Sequence, residues 1–323
     1  MNRGAFTRLA LAVALLGAAG CGTLAVWSAP KKQASAERLP QAARADELFW
    51  RTLHTGDYEG IPAALGALTA AYLADPRDAV TAAHIAWLHF WRLSERARLP
   101  SGGGPAITDH AVLARRYFEE AVRLDPADAR YLGFYAGALM SEGVIHNDQA
   151  MIRRGFFTLK DAVAAWPEFN LFTAGYIAGL QPHDSPRFRD GLEAMWANME
   201  ACVGERVDRA HPEYSRYMRL ETTEGPKRVC WNSWIAPHNF EGFFLHFGDM
   251  LVKAGEPARA VVMYGNARLA AEYTAWPYRN VLERRIADAA RNVELFRRAD
   301  PPPDGPTMMI RSRYSCVGCH QRS

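Results

Sequence analysis

The chain reads as an all-α protein, an irregular solenoid of paired helices from about Ala45 to Arg298 followed by a short tail that is not helical. Three observations predict this. Apolar residues recur at spacings of three and four with few alternating β-branched runs, the period of one helix face. Turn residues and prolines separate the runs. A pattern of small residue, large apolar residue, alanine and proline returns along the chain. Of the 323 residues, 49% are hydrophobic and 23% charged, ample material for a core. The 38 basic and 35 acidic residues are interspersed, net charge +3, and no basic block is present to neutralise a row of phosphates, so no nucleic-acid partner is implied.

The first element is an export segment, residues 1–21. Arg3 and Arg8 give a positive start, Leu9 through Leu16 form an uncharged apolar run, and Gly17, Ala18, Ala19 and Gly20 lead to Cys21. Leu16-Gly17-Ala18-Ala19-Gly20-Cys21 resembles the processing site of a bacterial lipoprotein, which implies lipidation of Cys21; the departure is Ala18, where a larger aliphatic residue is usual. An uncleaved anchor over Leu9–Ala29 and a cleaved soluble product are the other readings, and each puts the body outside the cytoplasm, in the periplasm of the cell envelope. Residues 22–44 read as a tether between membrane and body, the sequence turning polar from Ser28 to Arg44 with Pro30 and Pro40.

Within the body, residues 45–298, the recurrent pattern is Ala64-Leu68-Ala71-Pro76, Ala114-Phe118-Ala121-Pro126 and Gly155-Leu159-Ala162-Pro167. Small residues let two helices approach, the large one fills the gap, and proline ends the helix. These positions resemble the second helix of a tetratricopeptide-like repeat. Gly248, Leu251, Gly255, Ala260, Tyr264 and Ala267 fit a fourth copy, with Pro277 displaced from its terminating position. The prolines are spaced more widely than the ~34-residue repeat, and Leu99–Pro105 occupies one excess. A capping helix is expected over Tyr278–Arg298, with Leu282, Ile286, Ala289, Val293 and Phe296 along one stripe.

The prolines between Pro301 and Pro306 forbid helix, and the tail, residues 299–323, ends in Cys316-Val317-Gly318-Cys319-His320. A C-x-x-C-H run arises by chance in roughly two or three per thousand sequences of this composition. It resembles the attachment motif of c-type cytochromes, which implies one covalent haem c, Cys316 and Cys319 as thioether partners and His320 as axial iron ligand. The resemblance covers five residues and supplies no fold. In the common family the second ligand lies downstream, whereas here only Gln321, Arg322 and Ser323 follow.

Candidates for that second ligand are His238, His246, Met308 and Met309. The two histidines lie in the densest aromatic stretch, Trp231 to Phe247, which could wall a haem pocket or could be plain core, and the tail is expected to dock there. Arg311, Arg313 and Arg322 could pair with haem propionates or be solvated tail residues. Cys202 and Cys230 are expected to form a disulfide in an oxidising compartment; a four-cysteine zinc site with Cys316 and Cys319, or a redox-active Cys316/Cys319 pair, are the rivals. No serine, cysteine or paired-carboxylate catalytic constellation stands out. Three functions fit: a membrane-tethered electron-transfer cytochrome whose body docks a redox partner protein, a helical-repeat lipoprotein scaffold without haem chemistry, and a five-coordinate haem enzyme or gas-binding protein.

Overall fold

The computed structural model describes residues 26–98, 107–299, 305–312 and 314–322. The chain divides into two compact units, residues 1–34 and 35–323. In the first, Val26 and Trp27 are exposed and the Ala29 amide donates to the Val26 carbonyl. The export segment with Cys21, the Leu99–Pro105 loop and Arg313 lie outside the described residues. No described helix is long and apolar enough to cross a membrane.

The second unit is all-α, with no strand among the described residues. Its helices are α1 (Pro40–Thr55), α2 (Ile61–Ala74), α3 (Ala79–Ser94), α4 (Ile107–Leu124), α5 (Ala129–Ile145), α6 (Gln149–Ala165), α7 (Pro167–Ala178) and α8 (Pro186–Val203). After an irregular stretch come α9 (Asn239–Ala254), α10 (Pro257–Gly265), α11 (Arg279–Ala287) and α12 (Ala289–Arg297). Each helix packs on its successor, most extensively α3 on α4, α5 on α6 and α7 on α8.

The recurrent pattern is the packing seam. Ala64, Leu68, Ala114, Phe118, Ala121, Ala162, Ala260 and Tyr264 are all fully buried. The turns repeat as well. Asp75-Pro76-Arg77-Asp78 and Asp125-Pro126-Ala127-Asp128 each end one helix, and the last aspartate caps the next through its carboxylate, Asp78 on the Val80 and Thr81 amides and Asp128 on that of Arg130. Such a cap satisfies amides that the first helical turn leaves open.

Three boundaries differ from the sequence reading. α1 starts at Pro40 rather than Ala45, because proline at the first helical position loses no hydrogen bond. The expected capping helix is two helices, broken where Asp288 leaves helical geometry at φ −104°, ψ 10°. The tail belongs to the same compact unit as the helices rather than hanging from them.

Between α8 and α9 the chain forms short 3-10 turns, closed by a disulfide from Cys202 to Cys230 with a Cα–Cα distance of 5.9 Å. The cysteines are therefore not available to a four-cysteine zinc site. Further on, Arg285 of α11 is buried against Asp249 of α9 at 3.1 Å, and Tyr264 of α10 donates to the same carboxylate at 2.6 Å. This buried polar knot ties the last helices together and reaches the tail, since Arg285 also donates to the Thr307 carbonyl.

Candidate functional site

The tail is threaded between the first helices and the last. Val317 is buried, 1% exposed, in the core cluster of Phe49, Leu53, Tyr58 and Trp91. On the other side Trp276 Nε1 donates to the Gly318 carbonyl at 3.3 Å, the His238 amide donates to the Cys319 carbonyl at 3.0 Å, and Tyr278 Oη pairs with Gln321 Oε1 at 2.8 Å. The Arg322 amide donates to the His54 carbonyl at the end of α1, at 2.8 Å. Gly242 of α9 makes room for the motif, because a Cβ there would collide with Cys319 Sγ. The first and last parts of the solenoid also meet directly, Trp50 and Trp234 standing edge to face at 4.9 Å.

Cys316, Cys319 and His320 all line one cavity of about 1330 Å³, above the roughly 300–1,000 Å³ of ordinary small-molecule sites. Its walls are aromatic: Phe49 and Trp50 from α1, Trp87 and Phe90 from α3, Phe134 from α5, and Phe169, Phe172 and Tyr176 from α7. The Trp87 ring stands 5.7 Å from that of His320. Val144, Phe156 and Leu180 are exposed lining residues at the mouth, beside Arg153 and Arg187. The three motif residues are enclosed by protein yet only half-buried, so their accessible faces open on the cavity.

The hydrogen-bond pattern fixes the tautomer of His320. Its Nδ1 lies 2.8 Å from the Ile235 carbonyl oxygen, which can only accept, so Nδ1 carries the proton and Nε2 keeps its lone pair. Burial pushes the His320 pKa down to about 4, which keeps the ring neutral, as a metal ligand must be. A second bond that orients a ligating imidazole is the usual outer support of such a ligand. Burial raises both motif thiols, and the neighbouring Cys316 adds to the rise at Cys319. A redox-active dithiol needs the opposite shift, so this environment disfavours that rival.

Several residues that line the cavity carry buried polar atoms without a partner among the described residues. These atoms include Arg96 Nη1, Trp231 Nε1 and both ring nitrogens of His246, and all three residues line the cavity. Burial, and then the charge of Lys253, push the His246 pKa down to about 3. Buried orphans of this kind are costly and point to a group that completes them. The residues present fit a covalent haem: two thiols and a free imidazole nitrogen at one edge, aromatic walls, and a guanidinium at hand for a carboxylate.

The structure separates the sequence candidates. His246 and Met308 line the cavity. His238 does not: its Nδ1 pairs with Glu241 at 2.9 Å and its Nε2 faces the Arg322 carbonyl at 3.5 Å. Met309 is buried, 2% exposed, off the cavity. Of the expected aromatic wall only Trp231 lines the cavity, while Phe240, Phe244 and Phe247 are core. Arg311 is exposed and Arg322 lies over the Trp234 ring, both away from the cavity, whose cations are instead Arg38, Arg96, Arg130, Arg153, Arg187 and Arg228. Tyr176, Ile235, Arg96 and Gly242 carry no local sequence signal, because their roles arise from helices far apart in the chain. No protein-family model, curated protein or solved structure matches this chain.

Proposed function

We propose that this chain is an exported, membrane-tethered monohaem c-type protein of the cell envelope that passes electrons to or from a partner docked on its helical body. One observation carries the reading: Cys316, Cys319 and His320 open together on a single large aromatic cavity, with His320 Nδ1 tied to Ile235 and Nε2 left free. Cys316 and Cys319 would hold the haem covalently and His320 would bind its iron. Bound there, the group supplies one-electron redox chemistry. The chain's own residues do the rest. The Ile235 carbonyl orients the imidazole, while the aromatic walls would exclude water and Arg96 would pair with a carboxylate of the group. Ile235 and Trp234 are 41% and 57% exposed, so the residue bonded to His320 sits in an apolar surface patch where a redox partner can come close. The N-terminal signal and Cys21 support export and tethering.

A second reading, a haem with an open sixth position that binds a small molecule, is favoured by the cavity volume. A haem has ~43 non-hydrogen atoms and needs roughly 700 Å³ at protein packing density, about half of the 1330 Å³ present.

Intact mass tests both. Protein made with a working haem-attachment system is expected to carry one added haem mass that survives denaturation, and to lose it in Cys316→Ala/Cys319→Ala. A parent with no added mass rules out the haem reading and leaves the helical scaffold.

A further inference from the structure

We infer that Tyr176 and His246 form a polar binding site for a small uncharged ligand of the dioxygen or peroxide class, in the part of the cavity that a haem leaves open. The inference rests on the haem reading and names what that haem would meet.

The two residues are adjacent. Tyr176 on α7 and His246 on α9 place their rings 4.4 Å apart, tilted by 38°. Both line the cavity, and neither imidazole nitrogen of His246 has a hydrogen-bond partner among the described residues. His246 is 4% exposed, so these are buried polar atoms rather than groups satisfied by bulk water. Tyr176 also lies against the motif, its hydroxyl within hydrogen-bond reach of Cys316 and close to Cys319. The pair is thus beside the attachment edge and not on a remote wall.

The His246 ring is held in place. A Cβ on Gly179 would stand 3.2 Å from its Cε1 and Nε2, and Lys253 Nζ donates to the Gly179 carbonyl at 2.9 Å beside it. Yet His246 lacks what His320 has. A ligating histidine ordinarily donates its second nitrogen to a carbonyl or carboxylate; His320 does so to Ile235, and neither nitrogen of His246 has such a bond. The contrast assigns His320 to the iron and leaves His246 free to donate one hydrogen bond and accept another.

The chemistry of the pair selects the ligand. Burial holds the Tyr176 phenol protonated and, with the nearby Lys253 charge, the His246 imidazole neutral, so the pair offers donors and one acceptor but no charge of its own. An anion would find its partners at the mouth, at Arg153 and Arg187. A small neutral molecule that accepts a hydrogen bond, as dioxygen and peroxide both can, matches the inner pair. About half the cavity volume remains for it beside a haem.

The test uses the full chain matured with haem, with carbon monoxide and dioxygen as probes. Intact mass is read first: absence of covalent haem overturns the underlying reading, and the inference with it. In haem-loaded protein the reduced parent is expected to be five-coordinate and to bind carbon monoxide. His246→Leu and Tyr176→Phe should keep that coordination, raise the carbon monoxide stretching frequency, and speed dioxygen release about tenfold, the loss of one hydrogen bond. His246→Gln, which keeps a donor, should stay near the parent. The inference is overturned by a six-coordinate parent whose spectrum changes in His246→Leu or Met308→Leu, since that residue is then a ligand. It is equally overturned if stretch and release rate are unaltered in both variants, since the pair then only borders a water-filled gap.

Discussion

His320 donates through Nδ1 to the carbonyl oxygen of Ile235 at 2.8 Å, joining the last residues of the chain to a loop 85 positions earlier. His54 Nε2 reaches the same oxygen at 3.4 Å, so one carbonyl gathers the tail, the loop before α9 and the end of α1. The tail is therefore a structural strap as well as the bearer of the motif. Removing residues 299–323 is expected to loosen the contact between the first and last helices and lower the unfolding midpoint. Val317→Ala isolates the packing part. It empties a site that is 1% exposed and should cost about 2 kcal/mol in a urea titration. A midpoint equal to the parent's in both variants would mean that the strap bears no load.

Gly242 should be critical for haem attachment rather than for folding. A Cβ at this position collides with Cys319 Sγ, so Gly242→Ala is expected to push the tail off α9. The helical circular dichroism should persist, because alanine is the better helix former. Haem incorporation, read by intact mass, should fall. Full incorporation in Gly242→Ala speaks against the observed seating of the motif.

The repeat pattern and the motif are legible in the sequence because both are local. Ala114, Phe118 and Ala121 share a helix face by periodicity alone, and the cysteine spacing is a property of five neighbouring residues. The cavity is not local. The aromatic walls named above come from α1, α3, α5 and α7, and the aromatic density around Phe244 marks core because α9 turns that face toward Trp231 and Tyr214 instead. Phe134 and Tyr176 carry no more signal in the sequence than any buried aromatic. Their meaning depends on how far the solenoid curves, which the spacing of apolar residues does not encode.

Acid should destabilise the haem-free protein well before carboxylates titrate. His246 and His89 have folded pKa values of about 3 and about 4, lowered mainly by burial, against 6.5 unfolded. A depressed histidine pKa means that the unfolded chain binds the extra proton. Stability is then fully present above about pH 6.5 and lost as pH falls toward the folded values, by about 1.4 kcal/mol per pH unit for each group. Urea midpoints at pH 7 and pH 5 measure the slope. His89→Gln should reduce it, and an unchanged slope excludes His89 as a source.

The disulfide from Cys202 to Cys230 closes an irregular stretch of short 3-10 turns without a further α-helix, with a sequence separation of 28. Loop closure at that length is worth about 3–4 kcal/mol in the chain-entropy model. Cys202→Ala/Cys230→Ala should lose most of this in denaturation, and the tryptophan environment at Trp231 should change with it, since Trp231 stacks on Phe240 directly after the bridge. Reductant should have the same effect on the parent and none on the double variant.

Arg96 offers the sharpest separation between the empty and the loaded protein. Its Nη1 is buried on the cavity wall with no partner among the described residues, and its guanidinium lies 5.4 Å from the centre of the Tyr314 ring. Arg96 is only half-buried, but desolvating one guanidinium nitrogen without a partner costs stability, so Arg96→Leu is expected to leave the haem-free protein about as stable as the parent or more so. In the haem-loaded protein the same cation would pair with a porphyrin carboxylate. A positive charge near the iron favours the reduced state, which carries one positive charge fewer. Removing it should lower the midpoint potential by about 30–60 mV, since ~59 mV corresponds to a tenfold change in a one-electron equilibrium. The two measurements have opposite signs of benefit. A variant that destabilises the haem-free protein and leaves the potential in place would make Arg96 an ordinary structural residue.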